Sequence, residues 1–273
     1  MNLYREQGVV LRTWKLGEAD RIVVFLTQGE GKVRAVAKGV RKTKSRFGGR
    51  LEPFSHVDLS LYRGRELDIV TQAEVISPFR ALREDYDRVV AGTAMLEATD
   101  QVAQEHERNP LLYQMLVRAL LTLDDDPSPV LAAAFLWKLL SLEGFHPVLE
   151  VCAGCEEPVG ETREPVVVDL DAGGVLCRSC AGPLGRRHAI GPAALSLVQR
   201  ILGGDLKRAL AVPEGPAVRE AERMALDALE HHVERRLRSA PLLATRHRVR
   251  VEAPLPPPGP VPWPRCAGPS SRS

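Results

Sequence analysis

The stretch between Lys32 and Arg50 combines many cations with no acid. This segment, KVRAVAKGVRKTKSRFGGR, contains no Asp or Glu, and eight of its residues are basic: Lys32, Arg34, Lys38, Arg41, Lys42, Lys44, Arg46 and Arg50. A run of charges often forms only a solvated face. A patch of one sign, however, creates a field that attracts polyanions, and therefore predicts contact with nucleic acid.

The first seven residues of this segment alternate between polar and apolar side chains. In an extended strand Val33, Ala35 and Ala37 would face a core, while the cations Lys32, Arg34 and Lys38 would face outward. The remaining residues include three glycines and a polar run, so they predict an exposed basic arm at 39–50 with no apolar face. We expect the strand to fix its cations and the arm to be mobile.

Four of the five cysteines form two CxxC pairs, Cys152 with Cys155 and Cys177 with Cys180, separated by 21 residues. Two such pairs joined by a hairpin can place four thiolates at the corners of a tetrahedron, which is the coordination of structural zinc. Disulfides and unliganded thiols are the alternatives. Because four protein ligands leave no position for water, one zinc ion per chain would stabilise the fold rather than catalyse.

Alternating apolar residues predict five strands in the N-terminal part, at 3–12, 21–27, 32–38, 56–61 and 67–75. Five short strands favour a closed barrel of the OB type, because closure removes exposed sheet edges, and we assign it to residues 1–79. OB barrels meet oligonucleotides on the face of strands two and three and on two flanking loops. Those positions carry further cations, with Arg12 and Lys15 at the first loop, Arg21 on the face, and Arg63 and Arg65 in the last loop.

Three aromatic residues lie among these cations: Trp14, Phe47 and Tyr62. Each either stacks on a base, a contact that contributes about 1–3 kcal/mol, or packs in the core or rim of the barrel. Phe25 and Phe54 fit the core better.

From residue 80 the apolar period becomes helical and predicts three helices, a cysteine segment at 150–186, and two further helices, together a helical domain at 80–240. The predicted fold is therefore an α+β multidomain protein. The last helix, from Val218 to Leu237, would carry near its end three arginines that either cap the helix or contact a second anion: Arg235, Arg236 and Arg238. Residues 253–273 contain eight prolines and the fifth cysteine, Cys266. This composition predicts a disordered tail.

Charge and motifs narrow the functional classes. Residues 1–80 carry 15 basic and 9 acidic side chains, whereas residues 81–273 carry 22 and 26, so the basic character is local. No apolar run approaches the roughly 18 residues of a membrane span, and no signal-peptide pattern opens the chain, which predicts a cytoplasmic protein without membrane contact. The motifs GxxxxGK(S/T), HExxH and GxSxG are absent, so we expect no enzyme of those classes.

The segment AKGVRKTKSRFGGRLEPF within the predicted barrel, followed by helices interrupted by CAGC and CRSC, resembles the RecO family of bacterial recombination mediators. The resemblance covers residues 1–240 and is most specific at the basic segment with its LEPF ending. It implies binding of single- and double-stranded DNA and annealing of complementary strands. With RecR, it also implies replacement of single-strand DNA-binding protein by RecA in the RecF pathway, at the nucleoid. A site on the helical domain for the acidic C-terminal tail of single-strand DNA-binding protein is implied as well.

Two alternatives from other classes remain at this point. A nuclease would use Asp169 and Asp171 as metal-binding carboxylates, although their position in the predicted hairpin favours a role in a turn. An RNA-binding or ribosome-associated protein could combine the same barrel, basic arm and zinc segment.

Overall fold

The computed structural model describes residues 2–159, 166–182 and 188–249 of the chain. The predicted disordered tail at 253–273, with Cys266, and parts of the predicted cysteine segment lie outside the described residues. Five strands form a closed barrel in the order β1-β2-β3-β5-β4, as predicted. They are β1 (Leu3–Leu16), β2 (Asp20–Thr27), β3 (Gly31–Ala37), β4 (His56–Tyr62) and β5 (Asp68–Ser77).

The middle of β1 and most of β2 are buried on both faces. Val10, Val23 and Phe25 point into the barrel, where they pack with Val33 and Ala35 of β3. The residues between them belong instead to the core of the helical region, and they are Val9, Leu11, Val24 and Leu26. Burial on both faces accounts for the nearly continuous apolar runs in these two strands. The barrel and the helices therefore share one apolar contact.

In the part of the chain that the structure describes, four helices follow the barrel before the cysteines, and four helices of varied length follow them. The first group is α1 (Arg80–Glu84), α2 (Tyr86–Val102), α3 (Pro110–Asp125) and α4 (Leu131–Leu142), and a single turn, α5 (Arg178–Ala181), lies within the cysteine segment. The second group is α6 (Pro192–Leu202), α7 (Leu206–Leu210), α8 (Pro216–His232) and α9 (Ala240–Val249). The sequence predicted the long helices but missed the short α1, α5 and α7 and the last helix, α9.

Helix α4 lies at the centre of the helical region. Its sequence, LAAAFLWKLLSL, is apolar on nearly every side, which is typical of a helix with neighbours all round. Trp137 is fully buried there, and its indole Nε1 donates a hydrogen bond to the carbonyl oxygen of Ala221 at 3.1 Å. The prediction that Trp137 belongs to the core is confirmed, and its one polar atom is satisfied as burial requires.

The cysteine segment contains the predicted hairpin. Strands β6 (Val166–Asp169) and β7 (Gly174–Leu176) pair antiparallel, and β8 (His188–Ile190) adds a third strand that the sequence did not indicate. Val148 donates to and accepts from the β7 end of this sheet, through Gly173 and Val175 at 2.9 Å each. The segment is therefore joined to the helical region by backbone hydrogen bonds as well as by apolar packing.

Helix α8 ends earlier than predicted, at His232. Glu234 adopts a left-handed backbone with φ of 52°, which turns the chain before α9. Arg235, Arg236 and Arg238 thus lie in the connection between the two helices rather than on a helix end. None of the described helices is both long and apolar enough to span a membrane.

Gly31 lies in close contact with the segment that follows α2, and a substitution there measures what this contact contributes to stability. It has φ of +66°, and a Cβ there would lie 1.9 Å from the carbonyl oxygen of Glu107. Gly17 has a similar φ of +56°, but a Cβ there would meet nothing within 4 Å. Gly17→Ala should therefore cost only the left-handed backbone term, about 1–2 kcal/mol. Gly31→Ala should cost about 1–3 kcal/mol more, because the segment must move.

Urea unfolding followed by circular dichroism measures both values. Equal losses in the two variants would show that the approach of Glu107 to Gly31 contributes nothing to stability.

Candidate nucleic-acid interface and metal centre

Seven exposed cations gather at one end of the barrel, which we call the basic rim. The register places Lys15 opposite Arg21 and Arg21 opposite Ala37, so the end of β1, the start of β2 and the end of β3 meet there. The loop that follows β3 adds most of the charge. The members of the basic rim are Lys15, Lys38, Arg41, Lys42, Lys44, Arg46 and Arg50.

The loop at 39–50 is held against the barrel, contrary to the prediction of a mobile arm without an apolar face. Val40, Phe47 and Leu51 are buried in the barrel core, and a short 3-10 helix, Gly48–Leu51, closes the loop. The sequence did not indicate this arrangement because the three apolar residues are separated by polar runs with no regular period.

Hydrogen bonds hold the start of this loop to the turn between β1 and β2. The amide of Gly39 donates to Asp20 Oδ1 at 2.7 Å, and Arg41 Nη1 donates to the carbonyl oxygens of Gly17 and Glu18 at 3.1 and 2.8 Å. Two turn hydrogen bonds continue this order into the centre of the loop, from Lys42 to the carbonyl oxygen of Gly39 at 3.1 Å and from Ser45 to that of Lys42 at 2.9 Å. The basic rim is therefore an exposed surface on an ordered loop.

The cations of the basic rim have no ion-pair partners among the described residues, although the carboxylate of Asp20 accepts from Gly39 between two of them. Within the part of the chain that the structure describes, no carboxylate forms an ion pair with any of its seven cations. Arg46 lies over the ring of Phe47 at 4.8 Å, and Arg50 donates to the carbonyl oxygen of Arg46 at 2.6 Å. Cations gathered on one surface repel one another, so a bound polyanion would relieve that repulsion as well as pair with the cations.

Two of the cations predicted on the strand face, Lys32 and Arg34, and one predicted at the first loop, Arg12, have partners in the helical region. Lys32 Nζ donates to the carbonyl oxygen of Asp100 at 2.7 Å and lies 3.6 Å from its carboxylate, and Arg12 Nε lies 2.6 Å from the same carboxylate. Arg34 Nε lies 2.8 Å from Glu105. Since Asp100 and Glu105 come long after the barrel in sequence, the absence of acid inside the segment 32–50 did not mean the absence of counter-charge.

Of the three remaining predicted cations, Arg21 shares the barrel end of the basic rim, whereas Arg63 and Arg65 lie elsewhere. Arg21 is not on the face of β2; it lies at the barrel end, where Nη1 contacts Glu52 at 2.5 Å. Arg63 and Arg65 follow β4 at the opposite end from the basic rim, and Arg63 pairs with Glu30 at 2.7 Å and lies 4.7 Å from the ring centre of Tyr4. Arg65 is exposed. The predicted cations therefore form three groups rather than one surface.

The aromatic residues predicted among the cations differ in their burial. Phe47 is buried, which leaves it packing in the barrel core rather than stacking on bases. Trp14 is half-buried with Arg12 lying 4.9 Å from its ring centre, and Tyr62 is exposed with its hydroxyl accepting from Asn2 at 3.1 Å. Phe25 and Phe54 are buried, as predicted.

The four cysteines of the CxxC pairs converge on one point. Their sulfur atoms all lie within 4.8 Å of one another, and Cys155 Sγ and Cys177 Sγ are 3.7 Å apart. The backbone amides of Gly154 and Cys177 donate to Cys152 Sγ at 3.4 and 3.2 Å. Four sulfurs at this separation can hold a metal ion, and amide donors stabilise the thiolate form that a metal requires.

Local hydrogen bonds shift the acidity of these thiols. The hydroxyl of Ser179 lowers the pKa of Cys177 to about 6, whereas hydrogen bonding to Cys177 raises the pKa of Cys180 to about 12. Sulfurs packed this tightly cannot all carry negative charge without a cation among them. The donor set is thus suited to a soft divalent metal.

Asp169 and Asp171, the carboxylates of the nuclease alternative, serve the turn of the hairpin. Asp169 Oδ1 accepts from the amides of Asp171 and Ala172 at 3.0 Å each, which is an Asx turn. Asp171 Oδ1 lies 3.4 Å from His231 Nε2 on α8. These contacts give the two carboxylates structural roles.

The comparisons with known proteins agree with this arrangement. Family models for the N-terminal and C-terminal parts of recombination protein O match residues 1–79 and 83–241. The DNA repair protein RecO of Nocardioides sp. is 44% identical over 246 residues, which cover 87% of this chain and 97% of that protein. The proteins of the same name from Thermobifida fusca and Bifidobacterium longum are 43% and 39% identical over 249 and 247 residues, each covering 89% of this chain and 99% of the relative.

Lys32 should contribute to stability through its contact with Asp100. Its side chain is 15% exposed and that of Asp100 only 7%, so Lys32→Met would leave a buried carboxylate with Arg12 as its remaining partner. We expect a loss of about 1–3 kcal/mol. Lys44→Met, at an exposed position, removes the same charge and should change stability by less than about 0.5 kcal/mol. Thermal unfolding of both variants measures this difference, and an unchanged melting temperature for Lys32→Met would contradict the assigned contact.

Proposed function

This chain belongs to the RecO family of DNA repair proteins. From that premise we propose that it binds single- and double-stranded DNA without sequence specificity and anneals complementary strands. We also propose that it helps RecA to replace single-strand DNA-binding protein on DNA. It would do so in the cytoplasm at the nucleoid, together with RecR and with the acidic C-terminal tail of single-strand DNA-binding protein as partners. The protein acts by binding and requires no catalytic residue.

The basic rim is the observation that carries this proposal. Its cations are exposed, fixed in position by the buried Val40, Phe47 and Leu51, and without carboxylate partners among the described residues. Lys and Arg neutralise phosphates and release counterions, which gives affinity for any sequence. The predicted cations outside the rim contribute to DNA contact only where their ion pairs within the protein leave a donor free. They are Arg12, Arg21, Lys32, Arg34, Arg63 and Arg65.

Annealing follows from the same chemistry. Two complementary strands repel each other through their phosphates, and a surface that neutralises phosphates lowers that repulsion. Contacts to the backbone leave the base edges free to pair, and the ring of Phe47, which lies among the cations of the basic loop in sequence, is held in the barrel core. A fixed cationic surface therefore brings strands together without selecting their sequence.

Zinc is the metal we assign to the four cysteines. Four sulfur ligands favour zinc, and a closed coordination shell would supply folding energy and no reaction. The ion would be held by Cys152 and Cys155, which lie between α4 and β6, and by Cys177 and Cys180, which lie at the end of β7 and in helix α5. Its role is to fix the hairpin beside α8.

The salt dependence of DNA binding tests the role of the basic rim. Replacing Lys42, Lys44 and Arg46 by Ala should lower affinity for single strands of any sequence. Each lost phosphate contact removes about 0.7 from the slope of log affinity against log salt, so three should remove about 2. A matched control removes three exposed cations outside the rim: Arg118, Arg200 and Lys207. Fluorescence anisotropy over a salt series measures both, and an unchanged slope in the rim variant would overturn the proposal.

The same rim variant distinguishes DNA mediation from RNA binding. Annealing of complementary strands covered with single-strand DNA-binding protein should be slowed in the variant and normal in the control. If an RNA of the same sequence displaces DNA at equal or lower concentration and the wild-type protein does not accelerate annealing, the RNA-binding alternative stands instead.

Metal analysis tests the zinc assignment. Freshly purified protein should contain about one zinc per chain, and Cys155→Ser should lose the metal and unfold at lower temperature, because metal binding contributes to folding. Cys266→Ser is the control, since Cys266 belongs to neither CxxC pair. A zinc content well below one per chain in the wild-type protein would exclude a resident zinc ion.

A further inference from the structure

A cleft of about 730 Å³ lies between the barrel and the helical region. One wall is formed by β1 and the residues that precede β4, and the other by α2 and the connection from α8 to α9. We propose that this interdomain cleft binds one or two nucleotides of a single strand whose neighbouring phosphates lie on the basic rim. The inference rests on the proposed DNA binding and extends it to the helical region.

The cleft carries an excess of positive charge that the protein leaves unused. Five of its lining residues are cationic and two are acidic. Both acids are engaged: Asp100 with Arg12 and Lys32, and Glu97 with the amides of Arg238 and Ser239 at 2.9 and 2.8 Å. Among the described residues, no side chain pairs with the guanidinium groups of Arg236 and Arg238. Those two groups are available to an anion.

A buried hydroxyl provides a second, independent sign of a ligand. Ser239 lines the cleft and is 2% exposed, yet its Oγ has no hydrogen-bond partner in the described part of the chain. An unsatisfied buried hydroxyl costs free energy unless something binds it. A phosphate oxygen beside Arg238 would accept a hydrogen bond from this hydroxyl.

The floor of the cleft is apolar and rigid. Leu11, Phe54 and Leu96 line it, and each is buried. Phe54 has an unusual backbone φ of 72°, and its ring lies against Gly92, where a Cβ would come within 2.9 Å of Cε1. A strained residue held by its surroundings is often part of a binding site. A flat apolar base fits such a floor while its phosphate meets the arginines.

The position of the cleft favours a nucleic acid over an acidic peptide. Arg12 forms part of its wall and lies 4.9 Å from the ring of Trp14, which is followed at once by Lys15 of the basic rim. A strand that leaves the rim would therefore cross the end of β1 near Trp14 to reach the cleft. Grooves that combine cations with aromatic rings are typical of single-strand binding, and the volume suits a ligand of nucleotide size.

Substitution of the two free arginines tests the proposal in the full-length protein. Arg236→Gln with Arg238→Gln should reduce the salt slope for single strands by about 1.4, at roughly 0.7 for each phosphate contact. Affinity for blunt duplex should change less than twofold, because paired bases do not enter a cleft of this size. The control pair is Arg200→Gln with Arg208→Gln, two exposed arginines that do not line the cleft.

A crosslink provides a second measurement that does not depend on charge. Leu242 lines the cleft and is 45% exposed, so a photoreactive phenylalanine analogue there should crosslink to a labelled oligothymidylate. An unchanged slope together with no crosslink would overturn the inference. The inference would also be overturned if a peptide of Asp and Glu abolished the crosslink to oligothymidylate at concentrations that leave DNA bound to the rim. The cleft would then be a peptide site. If the rim variant also keeps its salt slope, the proposed DNA binding itself has failed; if only the cleft variant does, the rim alone binds DNA.

Discussion

The position of the barrel on the helices depends on the carboxylate of Asp100, which pairs with cations of two barrel strands. This carboxylate is nearly buried at the end of α2, and two cations from different strands, Arg12 and Lys32, lie beside it. A buried carboxylate without partners would be costly, so these contacts fix the orientation of the barrel on α2. The same carboxylate offsets part of the positive charge of these two cations. The distribution of free charge on the barrel is therefore set from outside the barrel.

Free charge remains where apolar residues, rather than acids, hold the chain in place. Val40, Phe47 and Leu51 anchor the basic loop through the barrel core, which leaves the intervening cations without counter-charges. An anchor of ion pairs would have neutralised the surface it was holding. The combination of apolar attachment and unpaired cations explains how a short loop can be both ordered at its ends and strongly positive at its centre.

Local patterns predicted much of the structure. The alternation of residues 32–38 predicted β3 correctly, and the two CxxC pairs predicted the sulfur cluster, because both signals lie within a few residues. The partners of Lys32 and Arg34 could not be predicted, since Asp100 and Glu105 are distant in sequence and gain meaning only when α2 packs on β1. The end of α8 was missed because the apolar period continues to Leu237 while the backbone turns at Glu234. The interdomain cleft exists only through packing and left no sequence pattern.

The double burial of β1 and β2 has a consequence for synthesis of the protein. A nascent chain that has completed only its first 80 residues can close the barrel, yet Val9, Leu11, Val24 and Leu26 on its outer side still lack the helices that cover them. This apolar stripe stays in contact with water until α2 and its neighbours leave the ribosome. Such transient surfaces favour aggregation, so the interval between barrel closure and helix docking is the most vulnerable stage in the formation of this protein.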